Sequence, residues 1–211
     1  MLGFRLIVSL AAVCYGIAAC VRHKQPLFFK IILYGMVSYF FGALFSASYM
    51  LVHQTQPEGF HVGYFGHVGA YFFLLSSYYG AMDRLADGGE KELYIYRISA
   101  QAATLAFWGL VLYVCLNVES PLNLPLLLFA VPMGLTLYFA LKHLILPDVE
   151  LGIIKVMRPY NACVILFCLV EIICQLPQLP QAIGNIALAA AGILELLLLP
   201  LAQKGVRQWF I

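Results

Sequence analysis

Residues 60–84 read FHVGYFGHVGAYFFLLSSYYGAMDR. The run is apolar and long enough to cross a bilayer, where about 20 helical residues span the hydrocarbon. It is also rich in glycine, tyrosine and hydroxyl groups for a segment that faces lipid. At the helical period, Tyr64, His67, Tyr71 and Tyr78 fall in one stripe. Gly63, Gly66 and Gly69 lie nearby and leave the backbone bare, so that a second helix can approach closely. Asp83 and Arg84 mark where the segment leaves the apolar phase. A span with a polar aromatic stripe and a glycine seam belongs in the middle of a bundle, and the rest of the chain is read around it.

The composition agrees. With 63% of 211 residues hydrophobic, 10% charged and a mean hydropathy of +0.90, a soluble globular domain is excluded, because such domains are nearer half apolar and a quarter charged. Apolar runs predict seven transmembrane helices at about 3–21, 29–52, 60–82, 93–117, 122–141, 159–176 and 181–202. The expected fold class is all-α, a polytopic integral membrane bundle. Little chain lies outside the spans, so residues 1–211 read as one domain. Pro125 and Pro132 fall inside the fifth span as points of flexure. The mixed segment 142–158 reads as lying along the interface.

Basic residues set the orientation. Every lysine and arginine except Arg5 falls in or beside the loops after spans 1, 3 and 5, or in the C-terminal tail. The excess of Lys and Arg on cytoplasmic loops then places the N-terminus outside and the C-terminus in the cytoplasm of a multi-pass protein of the cell membrane. The net charge of +2 is accounted for by this pattern and does not point to nucleic acid. Residues 5–20 have the outline of a lipoprotein signal ending at Cys20. Cleavage there would set every later helix against its flanking charges, so the segment reads as the first span. Spans 1–3 and 5–7 share an orientation, with span 4 as an inverting connector. Parallel repeats of this plan occur in small transporters.

Polar residues at matched depth locate a candidate site. At 1.5 Å per residue, His67 lies about 10 Å from the outer end of its span, Glu171 about 8 Å and Asn185 about 6 Å. Gln175 lies above them, and Tyr64 and Tyr71 supply aromatic walls. An ionisable residue inside a membrane usually faces a cavity or a partner. The expected site is an outward-facing pocket between spans 2, 3, 6 and 7 that binds a small polar or cationic ligand, with Glu171 as the carboxylate and His67 beside it. Glu171 can equally be a protonated group that holds helices together through His67 or a tyrosine. Glu195, about 21 Å from the outer end of its span, reads as a proton or ion relay. Asp83, Arg97 and Arg158 read as an inner clamp, with Asp83 paired to one of the two arginines.

Other chemistry is not signalled. His53, Glu58 and His61 share one loop, but their spacing fits no metal motif. The six cysteines lie in or at the ends of spans, where cysteine packs as a small apolar residue. Cys115 and Cys174, both near outer ends, are candidates for a disulfide. No cofactor motif is present, and no nucleophile sits at a telling distance from a base. A retinal protein is excluded because the last span has no lysine before Lys204. Membrane hydrolases with a late histidine pair are excluded because no histidine follows His143. Seven helices with an outside N-terminus are also the layout of PQ-loop sugar transporters. Here Pro177-Gln178 and Pro180-Gln181 fall in a loop, so that likeness stops at layout. The leading expectation is a small-molecule transporter in the lipid bilayer. The alternative is a membrane sensor that engages a cytoplasmic partner, and the third is an intramembrane lipid hydrolase.

Overall fold

The computed structural model describes the chain except residues 1, 56, 58, 148–151, 177, 178 and 211. The main helices are α1 (Leu2–Arg22), α2 (Leu27–His53), α3 (Gly63–Ser77), α4 (Tyr94–Asn117), α5 (Asn123–Ile145), α6 (Ile153–Cys174) and α7 (Gln181–Phe210). No strand occurs among the described residues. Six of the helices, all but α3, are long and apolar enough to cross a membrane. They indicate a multi-pass membrane protein.

α3 is short because its path changes rather than ends. The backbone widens into a π turn over Tyr78–Met82 and resumes as one α turn over Asp83–Ala86. A π turn adds a residue to the helical cycle and re-aims the side chains beyond it.

Several boundaries differ from those expected. α6 begins at Ile153, a full turn before Pro159, which sits in the helix interior. In a membrane bundle neighbouring groups compensate for the backbone bond that proline removes. α5 runs on to Ile145, so the segment expected along the interface is largely helix. α7 continues past Ala202 to Phe210. Its extension is held by Tyr15, whose hydroxyl donates to Gln203 Oε1 at 2.6 Å, and by the packing of Gly205 on Met157. Pro125 lies in the first turn of α5, where a backbone N–H has no intrahelical partner in any case. Of the two prolines expected to flex this helix, only Pro132 is interior.

The helices α1, α2, α3, α5, α6 and α7 close a ring in which each packs on the next, and α7 returns to α1. α4 stands outside and packs chiefly on α5. Its sequence explains this position. Its buried residues are Ala100, Thr104, Phe107 and Val111, a single stripe at helical spacing. α5, α2 and α6 instead bury residues around much of their circumference. Trp108 fixes the α4–α5 contact by donating to the Ala130 carbonyl at 2.7 Å, with its ring over Gly134.

The α2–α3 contact is the most extensive in the molecule. A Cβ on Gly66 would lie 2.6 Å from the Gly42 nitrogen, and one on Gly42 would lie 2.7 Å from the Gly63 carbonyl oxygen. The two backbones therefore touch, as small residues at a membrane helix crossing permit. Ser38 Oγ donates to the Gly66 carbonyl at 2.8 Å and fixes the register.

Candidate functional site

The glycine seam brings α3 against α2 and sets Tyr39 and His67 side by side, with ring centroids 4.5 Å apart. From this point a cavity of about 250 Å³ opens toward the end of the bundle that carries the α2–α3 and α6–α7 loops. Its wall includes Arg5 from α1, Ser46 from α2, Tyr64 and His67 from α3, Cys174 and Gln175 from the end of α6, and Gly184 and Leu188 from α7. His61 and Pro57 of the α2–α3 loop complete the rim.

Beneath the cavity lies a buried ion pair. Arg5 Nη2 donates to both oxygens of Glu171, at 3.0 and 3.1 Å. The Tyr39 hydroxyl donates to Glu171 Oε1 at 2.8 Å. Glu171 is 1% exposed, so its charge is balanced inside the protein and turned away from the cavity. Three polar atoms around it are buried without a partner: Arg5 Nε, His67 Nδ1 and the Tyr71 hydroxyl. A buried polar atom left unsatisfied costs about 1–3 kcal/mol. The first two belong to residues of the cavity wall.

The expected site residues therefore separate into groups. His67, Tyr64 and Gln175 are on the wall. Glu171 is under the floor. Tyr71 is fully buried beside it, stacked on Phe167 at 5.9 Å, and is not on the wall. Asn185 is half-buried on α7 and is not among the wall residues, where its neighbours Gly184 and Leu188 are found. Glu195 is buried lower on α7, with Oε1 unpartnered.

Sequence reasoning missed Arg5 and Tyr39. Arg5 was set apart as the exception among the basic residues but given no role. That exception was the available signal. Tyr39 had none, because nothing in the α2 sequence separates it from the other aromatics of that helix.

The opposite end of the bundle is arranged differently from the clamp expected there. Asp83 pairs with Lys142 and accepts or shares a hydrogen with His143 Nε2 at 3.0 Å; it does not pair with Arg97 or Arg158. Arg97 pairs with Asp87, which also takes Lys142 at 3.1 Å. Arg158 donates to the Leu146 carbonyl at 3.3 Å. The π turn explains the difference. It re-aims Asp83 toward α5, and it places Tyr78 where its hydroxyl donates to Asn161 Oδ1 at 2.9 Å. Burial works against the Asp83 charge, but the His143 and Lys142 hydrogen bonds outweigh it and lower the carboxyl below its ordinary range. Asp87 is held well below that range, first by the Arg97 guanidinium.

No group of three metal-binding side chains occurs among the described residues. Glu58 of the considered loop cluster lies outside them. Cys115 and Cys174 are free thiols, as are the other four cysteines. No family model, curated protein or solved structure matches the chain.

Proposed function

We propose that this chain is a membrane protein that binds a small polar ligand in the cavity above Arg5 and Glu171, and that it acts as a transporter. The chain crosses the bilayer seven times, with its N-terminus outside, so the cavity opens outward. The third crossing consists of α3 and the π turn, 15 and 5 residues in order. At about 1.5 Å per residue this path is about 30 Å, enough for the hydrocarbon layer.

The observation that carries the reading is the pair of unsatisfied buried atoms, Arg5 Nε and His67 Nδ1, on residues that wall a void. A ligand with acceptor atoms satisfies Arg5, and a hydroxyl or carboxyl group reaches His67. A cation is the poorer fit, since Arg5 is on the wall and Glu171 is consumed by it. Among the described wall residues there is no carboxylate. The ligand class is therefore a small hydroxylated or carboxylated molecule. The ionic cluster around Asp83 closes the far side of the bundle, so the arrangement is open at one end and shut at the other. The ring of two helix triplets, with α4 outside as the connector, gives two bodies that can rock about such a site.

Thermal-shift measurements on purified protein with lactate, succinate, glycerol and choline test the ligand class. Stabilisation by a carboxylate or polyol that is absent in His67→Ala supports it. Stabilisation by choline alone contradicts it. Flux of the stabilising compound into proteoliposomes then separates a transporter from a sensor, which binds without flux.

A further inference from the structure

Glu195, midway along α7, is 2% exposed, and its Oε1 has no hydrogen-bond partner. α7 packs against α1, α2 and α6. Among the described residues of those helices, the titratable groups that act on Glu195 are Arg5 on α1, Tyr39 on α2 and Glu171 on α6, and Cys163 on α6 lies against its chain neighbour Leu194. Arg5 and Glu171 are both within electrostatic range of Glu195, and so is Tyr39. Cys163 Sγ is engaged with the Leu194 carbonyl at 3.5 Å. Farther along α7, Tyr15 is spent on Gln203. Among the described residues the one cation near Glu195 is thus Arg5, and its Nη2 is committed to both oxygens of Glu171.

We propose that Glu195 is a proton-binding site coupled to Glu171 through Arg5. While Arg5 is engaged with Glu171, Glu195 is a neutral carboxylic acid. When Arg5 turns toward Glu195, the O–H bond of Glu195 breaks, the new carboxylate takes the guanidinium, and the proton passes by way of water to Glu171, which has lost its cation. The first half follows from the cost of a buried charge. A carboxylate in this position would have neither a counter-ion nor a full set of donors, and such a group neutralises itself instead. The second half follows from the guanidinium, which offers five N–H donors in a planar fork and has Nε free. Two carboxylates that share one guanidinium titrate as a unit, with one proton between them. Arg5 also lines the cavity, whose water gives the proton a route between the two carboxylates. Coupling of this proton to a cavity ligand rests on the function proposed above, whereas the proton site itself does not.

The test reads the proton directly. Infrared spectra of the protein in lipid at neutral pH, before and after deuterium exchange, are compared for the parent, Glu195→Gln and Glu171→Gln. The parent shows a protonated-carboxyl band that is missing in Glu195→Gln. In Glu171→Gln the band falls to less than half, because Arg5 is released to Glu195. A band that persists in Glu195→Gln overturns the site, and an undiminished band in Glu171→Gln overturns the coupling. If Glu195→Gln does not fold, Glu195→Asp moves the band to a new frequency, and an unmoved band overturns the site. None of these readings requires a cavity ligand, so silence in the thermal-shift screen would leave them standing.

Discussion

Charge is concentrated at two ends of this bundle, and the two ends use it differently. At one end Arg5 and Glu171 form a single buried pair, with Tyr39 as the other partner of the carboxylate among the described residues. Unsatisfied nitrogens of Arg5 and His67 lie beside it, on residues that border a void. At the other end Asp83, Asp87, Arg97, Lys142 and His143 form a network in which each carboxylate meets two basic side chains. Among the side chains of the network His143 Nδ1 lacks a partner, and beside it the Tyr160 hydroxyl and Asn161 Nδ2 do too, but none of these residues lines the cavity. A network in which every charge meets an opposite one ties the turn after α3 to α4 and α5. A pair beside empty space, with donors left over, is where the proposed ligand would sit. Burial alone does not distinguish the two ends, since Lys142 and His143 are as buried as Glu171.

The comparison is broken most sharply by removing one charge at each end. Arg5→Ala leaves Glu171 buried without a cation, and loss of one partner of a buried pair costs about 3–5 kcal/mol. Lys142→Ala leaves Asp83 with His143 and Asp87 with Arg97, so the expected loss is smaller, about 1–3 kcal/mol. Denaturation of the two variants in matched detergent checks the order. Equal losses would remove the distinction between pair and network.

Acid should sharpen the same contrast. Asp83 and Asp87 have folded values below their unfolded ones. The stability they contribute is therefore complete above the unfolded aspartate value, near 3.9, and is lost as pH falls below it through the folded values. A melting temperature that declines over that acid window, with a shallower decline in Asp87→Asn, is the expected result. An identical slope in the variant would show that the network does not supply it. The smallest effect expected is at the cavity rim. His61 Nδ1 accepts the Gly63 N–H at 3.1 Å, at the start of α3. His61→Ala removes this hydrogen bond at a cost of about 1 kcal/mol, visible as a modest drop in melting temperature.

How much of this was legible depends on whether the signal was local. Glu171 stood out because a carboxylate in an apolar run has few harmless explanations. The third helix stood out because tyrosine and glycine recur on it at helical spacing. The peripheral place of α4 was not read from the sequence, although its single buried stripe, Ala100, Thr104, Phe107 and Val111, recurs at helical spacing. Arg5 was not legible as a site residue, because the rule that sorts basic residues by side treats a terminal arginine as a flank. Its partner lies 166 positions away. The π turn was not legible either. It is stabilised by what Asp83 and Tyr78 reach on α5 and α6, and no pattern within residues 78–82 announces those contacts. The expected pairing of Asp83 with an arginine failed for that reason, since regular helix continued through the turn aims the aspartate elsewhere.

The floor of the cavity, the sign of its wall and the proton site all depend on Arg5 and Glu171 being partners. A double-mutant cycle on stability, using Arg5→Ala, Glu171→Gln and the combined variant, measures that partnership directly. The account predicts that the combined variant loses markedly less than the sum of the two single losses, because the second substitution removes a charge that the first has stranded. Losses that simply add would mean that the two side chains do not meet, and would contradict the site described here.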